Sequence, residues 1–227
     1  MTVGFKCEYC NKTFKRENTM AVHMCERKRR HMSKDDKEVQ LAYRSYQLFY
    51  RIGTNAKGEK SFDEFAASQY YTAFVKYARY CIELRVDDVP EYTRWLLKNQ
   101  IRIDKWTSDK NYTRFVTEYL REENPLDAIA RSIETAISIA EEEKIKNDDA
   151  LRYASPNKIC YEITKGKISP WMLYQSESGV KFLGKLDETQ QKMILEYIDP
   201  EKWAIKFKRD PSIVKEVKEL MHDAGYG

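Results

Sequence analysis

Two cysteines with two residues between them, Cys7 and Cys10, are followed by His23 after a spacer of twelve residues, and then by Cys25 and His31. Thiolates and imidazole nitrogens are the donors that hold a borderline-soft divalent cation in a tetrahedral shell. A Cys-x2-Cys pair on a tight turn points two sulfurs at one ion. The spacer has room for a strand and about two helical turns that bring an imidazole back over them. The cofactor this pattern asks for is Zn²⁺. Phe5, Phe14 and Met20 interleave with the ligands and supply the only apolar packing so small a unit can have. A core of that size does not fold alone, so metal binding has to supply the missing free energy.

With these positions filled as Phe5-x-Cys7-x2-Cys10-x3-Phe14-x5-Met20-x2-His23, the stretch from residue 5 to 25 resembles a C2H2-type zinc finger. The resemblance implies a ββα unit. It departs from the family at the fourth ligand, because the positions separated from His23 by three to five residues hold Arg27, Lys28 and Arg29, and none of these binds zinc. Two candidates remain. Cys25 lies about 200° round a regular helix from His23, so the helix would have to unwind there. His31 lies roughly 12 Å along a continuous helix, so the chain would have to fold back. Cys25 is preferred, because a helix end frays readily and a third thiolate adds charge neutralisation.

The family's docking mode on DNA implies that Arg16, Asn18, Thr19 and Val22 face bases, Arg16 suiting a guanine edge and Asn18 an adenine. The exit run Arg27, Lys28, Arg29 and Arg30 would then lie along phosphates. One finger reads about three base pairs, too few for a specific site by itself. The charge distribution points to the same end of the chain. Residues 1–34 hold nine Lys/Arg against Glu8, Glu17 and Glu26, a surplus of six, whereas the whole chain carries only +4. The remainder is slightly acidic, so a polyanion would be gripped by the finger and its exit.

The elements around this site read as mainly α: a small zinc-bound ββα finger, residues 1–32, followed by an all-α helical domain, 33–227, with a possible subdomain break near 155. Ser33-Lys34-Asp35-Asp36 reads as a helix start leading into Val39, Ala42, Tyr43, Tyr46, Phe49 and Tyr50 at helical spacing. Ser61 and Glu64 form a capping box that opens one long helix through Phe62, Phe65, Phe74, Ala78, Cys81 and Ile82. Further helices are expected around Pro90–Leu97, Ser108–Glu123, Pro125–Asn147, Asn157–Thr164, Pro170–Gln175 and Glu188–Ile198. Asp199-Pro200 and Asp210-Pro211 each place a cap before a first-turn proline. Only 8 Gly and 6 Pro occur, few for a loop-rich fold, and no repeat period is visible.

The body offers little that looks catalytic. The loop Gly53…Gly58-Glu59-Lys60-Ser61 resembles a phosphate-binding P-loop, but Glu59 interrupts it and a helix rather than a strand precedes it. With His23 on metal and His31 in the basic run, the body's one histidine is His222 near the C-terminus. The carboxylates sit at expected helix ends, so the chain reads as no enzyme. The sixteen tyrosines, several beside Lys or Arg (Tyr43, Tyr77, Tyr80, Tyr112, Tyr153), could stack bases but at helical spacing read first as packing. Ile168–Tyr174 reads as a core corner rather than a partner-binding surface. Cys81 and Cys160 stand alone and read as small core residues.

No run reaches the roughly 18 apolar residues of a membrane span, and the N-terminus has no apolar signal region. The cysteine usage suits a reducing cytoplasm. The whole chain also resembles small zinc-finger proteins of large tailed phages, in its exit run Cys25–Arg30 and in Ser169-Pro170-Trp171. That resemblance implies a bacterial host cytoplasm and no particular activity. The expected function is non-catalytic nucleic-acid binding, to DNA before RNA, with the helical body free to bind another protein. The alternative is a structural or assembly protein in which the finger is a docking or folding module.

Overall fold

Helix starts in this chain are written with side chains that satisfy the first free backbone N–H groups, and these signals place most of the architecture. The computed structural model describes residues 4–53 and 58–226, and 73% of these described residues are helical, in fifteen α-helices and two 3-10 turns behind one small hairpin. The chain divides into two compact units, residues 1–108 and 109–227. The division falls between Ser108 and Asp109.

In the first unit, β1 (Phe5–Lys6) pairs antiparallel with β2 (Thr13–Phe14), setting Phe5 opposite Phe14. Two short helices follow, α1 (Glu17–Ala21) and α2 (Glu26–Met32), and then α3 (Lys37–Gly53). Ser33 does not start α3 as the sequence suggests. It closes α2, its N–H donating to the Arg29 carbonyl while the Lys34 N–H donates to that of His31, and the three residues after it form the turn. The Ser61/Glu64 capping box is present as expected and opens α4 (Phe62–Ala67). The long helix expected from it is broken, and α5 (Tyr71–Glu83) starts anew after Ser68, whose backbone is extended. α6 (Val89–Lys98) begins at an Asp88 cap with Pro90 in its first turn. A 3-10 turn, Ile103–Lys105, completes the unit. Residues 54–57 of the P-loop-like segment lie outside the described residues.

Aromatic rings fill this core. Phe74 meets Tyr46, Phe49, Phe65 and Trp106 edge to face, at centroid distances of 5.5, 5.7, 6.5 and 5.7 Å. Trp106 is fully buried and its indole N–H donates to the Ile101 carbonyl. Tyr77 donates to Thr93 Oγ1, 2.9 Å away, and Thr93 in turn donates to the Val89 carbonyl. Burial pushes the Tyr77 hydroxyl far above its ordinary range, so it stays a donor. Tyr77 and Tyr112 are buried, the packing reading of these residues, whereas Tyr153 is exposed.

The second unit runs through α7 (Asp109–Glu122), α8 (Pro125–Glu143), α9 (Ala150–Tyr153), α10 (Pro156–Thr164) and α11 (Pro170–Gln175). It continues with α12 (Glu177–Lys185), α13 (Glu188–Ile198), α14 (Pro200–Arg209) and α15 (Pro211–Asp223). α8 stops short of the expected Asn147 because Lys144 adopts a left-handed backbone (φ 58°) that closes the helix. α12 is a helix that the periodicity of the sequence did not announce. Its start is a Ser176 hydroxyl that accepts the Gly179 N–H, and Gly179 is required because a Cβ there would lie 2.6 Å from the Leu173 carbonyl oxygen. Ile168 through Leu173 are buried, so this segment is core as read from the sequence. Burial pushes the Cys160 thiol up to about 11 and that of Cys81, in the first unit, up to about 12, which keeps both protonated and inert.

Candidate metal centre

The hairpin carries the first two donors. After Cys7 the chain turns back so that the Asn11 N–H reaches the Cys7 carbonyl at 2.9 Å, and the Cys7 N–H reaches the Lys12 carbonyl at 2.9 Å. Asn11 sits in the left-handed region (φ 61°), one of the few conformations in which a turn this tight can be made without glycine. α1 then carries the chain back across the hairpin and ends at Val22.

The helix break that a Cys25 ligand requires is present. Residues 23–25 lie outside any helix, and α2 begins afresh with Cys25 as its N-cap. The Lys28 N–H donates to the Cys25 sulfur at 3.4 Å, so the helix start presents its positive end to this sulfur. Cys7, Cys10, His23 and Cys25 thus converge, their donor atoms all within 4.8 Å of one another. His23 Nε2 lies 3.3 Å from the Cys10 sulfur, and its ring is held by Phe14 at a centroid distance of 4.7 Å. A tetrahedral zinc with bonds of about 2.3 Å to sulfur and about 2.0 Å to nitrogen sets such neighbours roughly 3.5–3.8 Å apart. The cluster therefore fits a zinc ion after shifts of up to about an ångström.

Electrostatics inside the cluster is uneven. The Cys10 backbone N–H stabilises the Cys7 thiolate more than burial opposes it, so this thiol is held below its ordinary range. The Lys12 N–H favours the Cys10 thiolate, but burial and the neighbouring sulfurs of Cys7 and Cys25 outweigh it and hold this thiol high. Three sulfurs crowded together do not all ionise comfortably without a cation between them. The apolar residues around them cannot hold the unit either, since Phe5, Phe14 and Met20 are only half-buried.

His31, the alternative fourth donor, is not part of the cluster. Its ring lies tilted against Tyr9 at 4.9 Å, meets Phe62 edge to face at 5.4 Å, and sets Nε2 3.6 Å from the Asp63 carboxylate. The reason is the new helix phase begun at Cys25, which turns residue 31 toward α4 instead of toward the sulfurs.

The basic run is divided between fold and solvent. Arg30 does not face outward as a phosphate grip would. Its guanidinium donates to the carbonyls of Ala66 (2.9 Å) and Ser68 (3.2 Å), pairs with Glu26 and covers the Tyr71 ring at 4.4 Å. The Ala66 carbonyl belongs to the last turn of α4 and the Ser68 carbonyl, which also accepts the Tyr71 N–H, to the break that follows, so Arg30 bridges the break between α4 and α5. Arg27 donates to the Tyr9 carbonyl and the Lys28 ammonium to the His23 carbonyl, both at 3.4 Å. Arg29, like Arg16, Asn18, Thr19 and Val22, is exposed, and α1 contains no buried residue. Nothing in the sequence marked Arg30 as different from its neighbours, because its partners lie 36 and 38 residues away.

No family model, no curated protein and no solved structure matches the chain. The likeness to tailed-phage proteins thus gains no support from them. What stands is a Cys3His cluster behind a two-stranded hairpin, compatible with a zinc finger and able to hold a metal ion. Among the described residues no helix is long and apolar enough to cross a membrane.

Arg30→Met should lower stability by about 2–3 kcal/mol, since it removes two hydrogen bonds from a charged donor and a cation–π contact at a largely buried position. Urea unfolding of the zinc-loaded chain measures this, and a loss below about 0.5 kcal/mol would mark the side chain as a surface ornament.

Proposed function

We propose that this is a non-catalytic nucleic-acid-binding protein whose N-terminal Cys3His module is locked by Zn²⁺ and presents a cationic face to phosphates, DNA being the preferred polymer. One observation carries this reading: α1 contains no fully buried residue, and Arg16, Asn18, Thr19 and Arg29 are all exposed. A structural helix buries a stripe; this one is held only by the metal cluster and the hairpin. The ion's contribution is to cross-link hairpin and helices. The chain's own residues do the gripping.

Arg27 and Lys28 can exchange their long carbonyl contacts for phosphate oxygens, whereas Arg30 is committed to the break after α4. The grip is therefore Arg16, Arg27, Lys28 and Arg29. Neutralising Arg16, Arg27 and Arg29 to Gln should flatten the dependence of log affinity on log salt by about 2–3, near 0.9 for each duplex phosphate that is no longer neutralised. Fluorescence anisotropy with short single- and double-stranded oligonucleotides reads this. Absence of binding at low salt, or an unchanged slope, would refute the proposal.

A second reading is favoured by the docking of Arg30 and His31 on α4: the module serves as a protein-docking or folding staple in a larger assembly. It requires a partner that co-purifies in a nuclease-insensitive manner.

A further inference from the structure

The second unit holds a cation-lined cleft that the finger does not account for. A cavity of about 430 Å³ opens beside α14, lined by Arg121 of α7 and by Lys202, Trp203, Ile205, Lys206 and Arg209 of α14. Four of these six side chains are cations and none is acidic. The volume lies in the range of small-molecule sites. Lys202, Lys206 and Arg209 fall at helical spacing on one face, an arrangement that destabilises a helix by repulsion unless an anion answers it.

The local carboxylates do not fully answer it. Asp199 engages Lys202 at 2.8 Å, and Glu123 is already occupied by Arg131 at 2.6 Å. Lys206 is drawn inward: its ammonium donates to the Arg121 carbonyl and lies over the rings of Trp203 (5.1 Å) and Trp171 (5.6 Å). Burial lowers its pKa against the pull of Glu123 and Glu122, the mark of a cation short of compensating charge. Arg121 Nε is buried and has no hydrogen-bond partner among the described residues. A buried guanidinium N–H without an acceptor is uncommon and calls for one. Ile205, more than half exposed, gives the cleft an apolar wall on which the body of an ester can lie.

We propose that this cleft binds a phosphate group, gripped by Arg121, Lys206 and Arg209, with the remainder of the phosphate ester against Ile205. Planar guanidinium forks and an ammonium over apolar walls recognise phosphate in this manner. The inference does not depend on the finger, so the two can fail separately.

Isothermal titration of the zinc-loaded full chain at low salt tests it, with inorganic phosphate, adenosine 5′-monophosphate, adenosine and a short single-stranded oligonucleotide as probes. The monophosphate should bind and adenosine should not. Arg209→Gln combined with Lys202→Gln, both exposed positions, should weaken monophosphate binding at least about tenfold while Arg102→Gln, an exposed position outside the cleft and the finger, leaves it unchanged. Oligonucleotide binding that is lost in the cleft variant without monophosphate binding would assign the phosphate to a strand; monophosphate binding assigns it to a free ester. Failure of every phosphate probe, equal binding of adenosine, or indifference to the double substitution overturns the proposal. A melting curve on the variant shows that the fold is retained.

Discussion

Replacing Cys25 with alanine should weaken zinc binding by more than about 100-fold, beyond what the loss of an outer-shell partner costs, whereas His31→Gln should leave it unchanged. The contrast follows from geometry. Cys25 shares a donor cluster with Cys7, Cys10 and His23, and its sulfur also accepts the N–H that starts α2. His31 is spent on Tyr9, Phe62 and Asp63. Structural zinc in small modules contributes on the order of 10–16 kcal/mol of apparent binding free energy, and in such units this is folding free energy. The half-buried Phe5, Phe14 and Met20 cannot replace it.

Loss of the ion should therefore melt the hairpin and α1 and free α2 from α4. X-ray absorption of the native protein should show three sulfurs and one nitrogen around one zinc per chain. A shell with two sulfurs would sink the Cys25 assignment. Retention of hairpin amide protection after chelation would sink the coupling of metal to fold.

The second large effect lies in the other unit. Arg131→Met should cost about 3–5 kcal/mol, the usual penalty for orphaning one member of a buried ion pair. Glu123 is 3% exposed, its carboxylate 2.6 Å from Arg131 Nη2 and its other oxygen accepting the Ser169 hydroxyl at 2.9 Å. Burial raises its pKa even with Arg131 present, overcoming the pull of that guanidinium.

The sign of the pH dependence follows. A carboxyl whose folded pKa lies above its unfolded value binds protons more readily when folded, so its contribution to stability is complete below the unfolded pKa and is lost as pH rises through the folded one. Without Arg131 that shift grows. The variant should be worst near neutrality and recover toward acid. Adding Glu123→Gln should restore much of the loss at neutral pH, because no charge is then left buried. Denaturant unfolding across pH measures both, and a deficit constant with pH would remove Glu123 from the explanation.

The candidate metal site was legible in the sequence because its information is local: Cys7, Cys10 and His23 lie within one short segment, at a spacing that lets them converge on one ion. Capping signals are local too, so Ser61, Asp88, Asp199 and Asp210 open helices where their side chains say they should. Tertiary structure alone decided three things. It chose Cys25 over His31, because that choice depends on where a helix yields, and α2 is restarted at Cys25 and held by contacts with α4.

Tertiary structure also split the helix expected from Ser61. Helical periodicity continues through Ser68 in the sequence, but Arg30, a residue far back in the chain, donates to the carbonyls of Ala66 and Ser68 at the break. And it gathered Arg121 with Lys202, Lys206 and Arg209 around one cleft, which no spacing announces, since the residues come from two helices some eighty positions apart. Ligand spacing and caps are properties of a few consecutive residues. Which cations become structural and which stay free to hold an anion is settled only when distant segments pack.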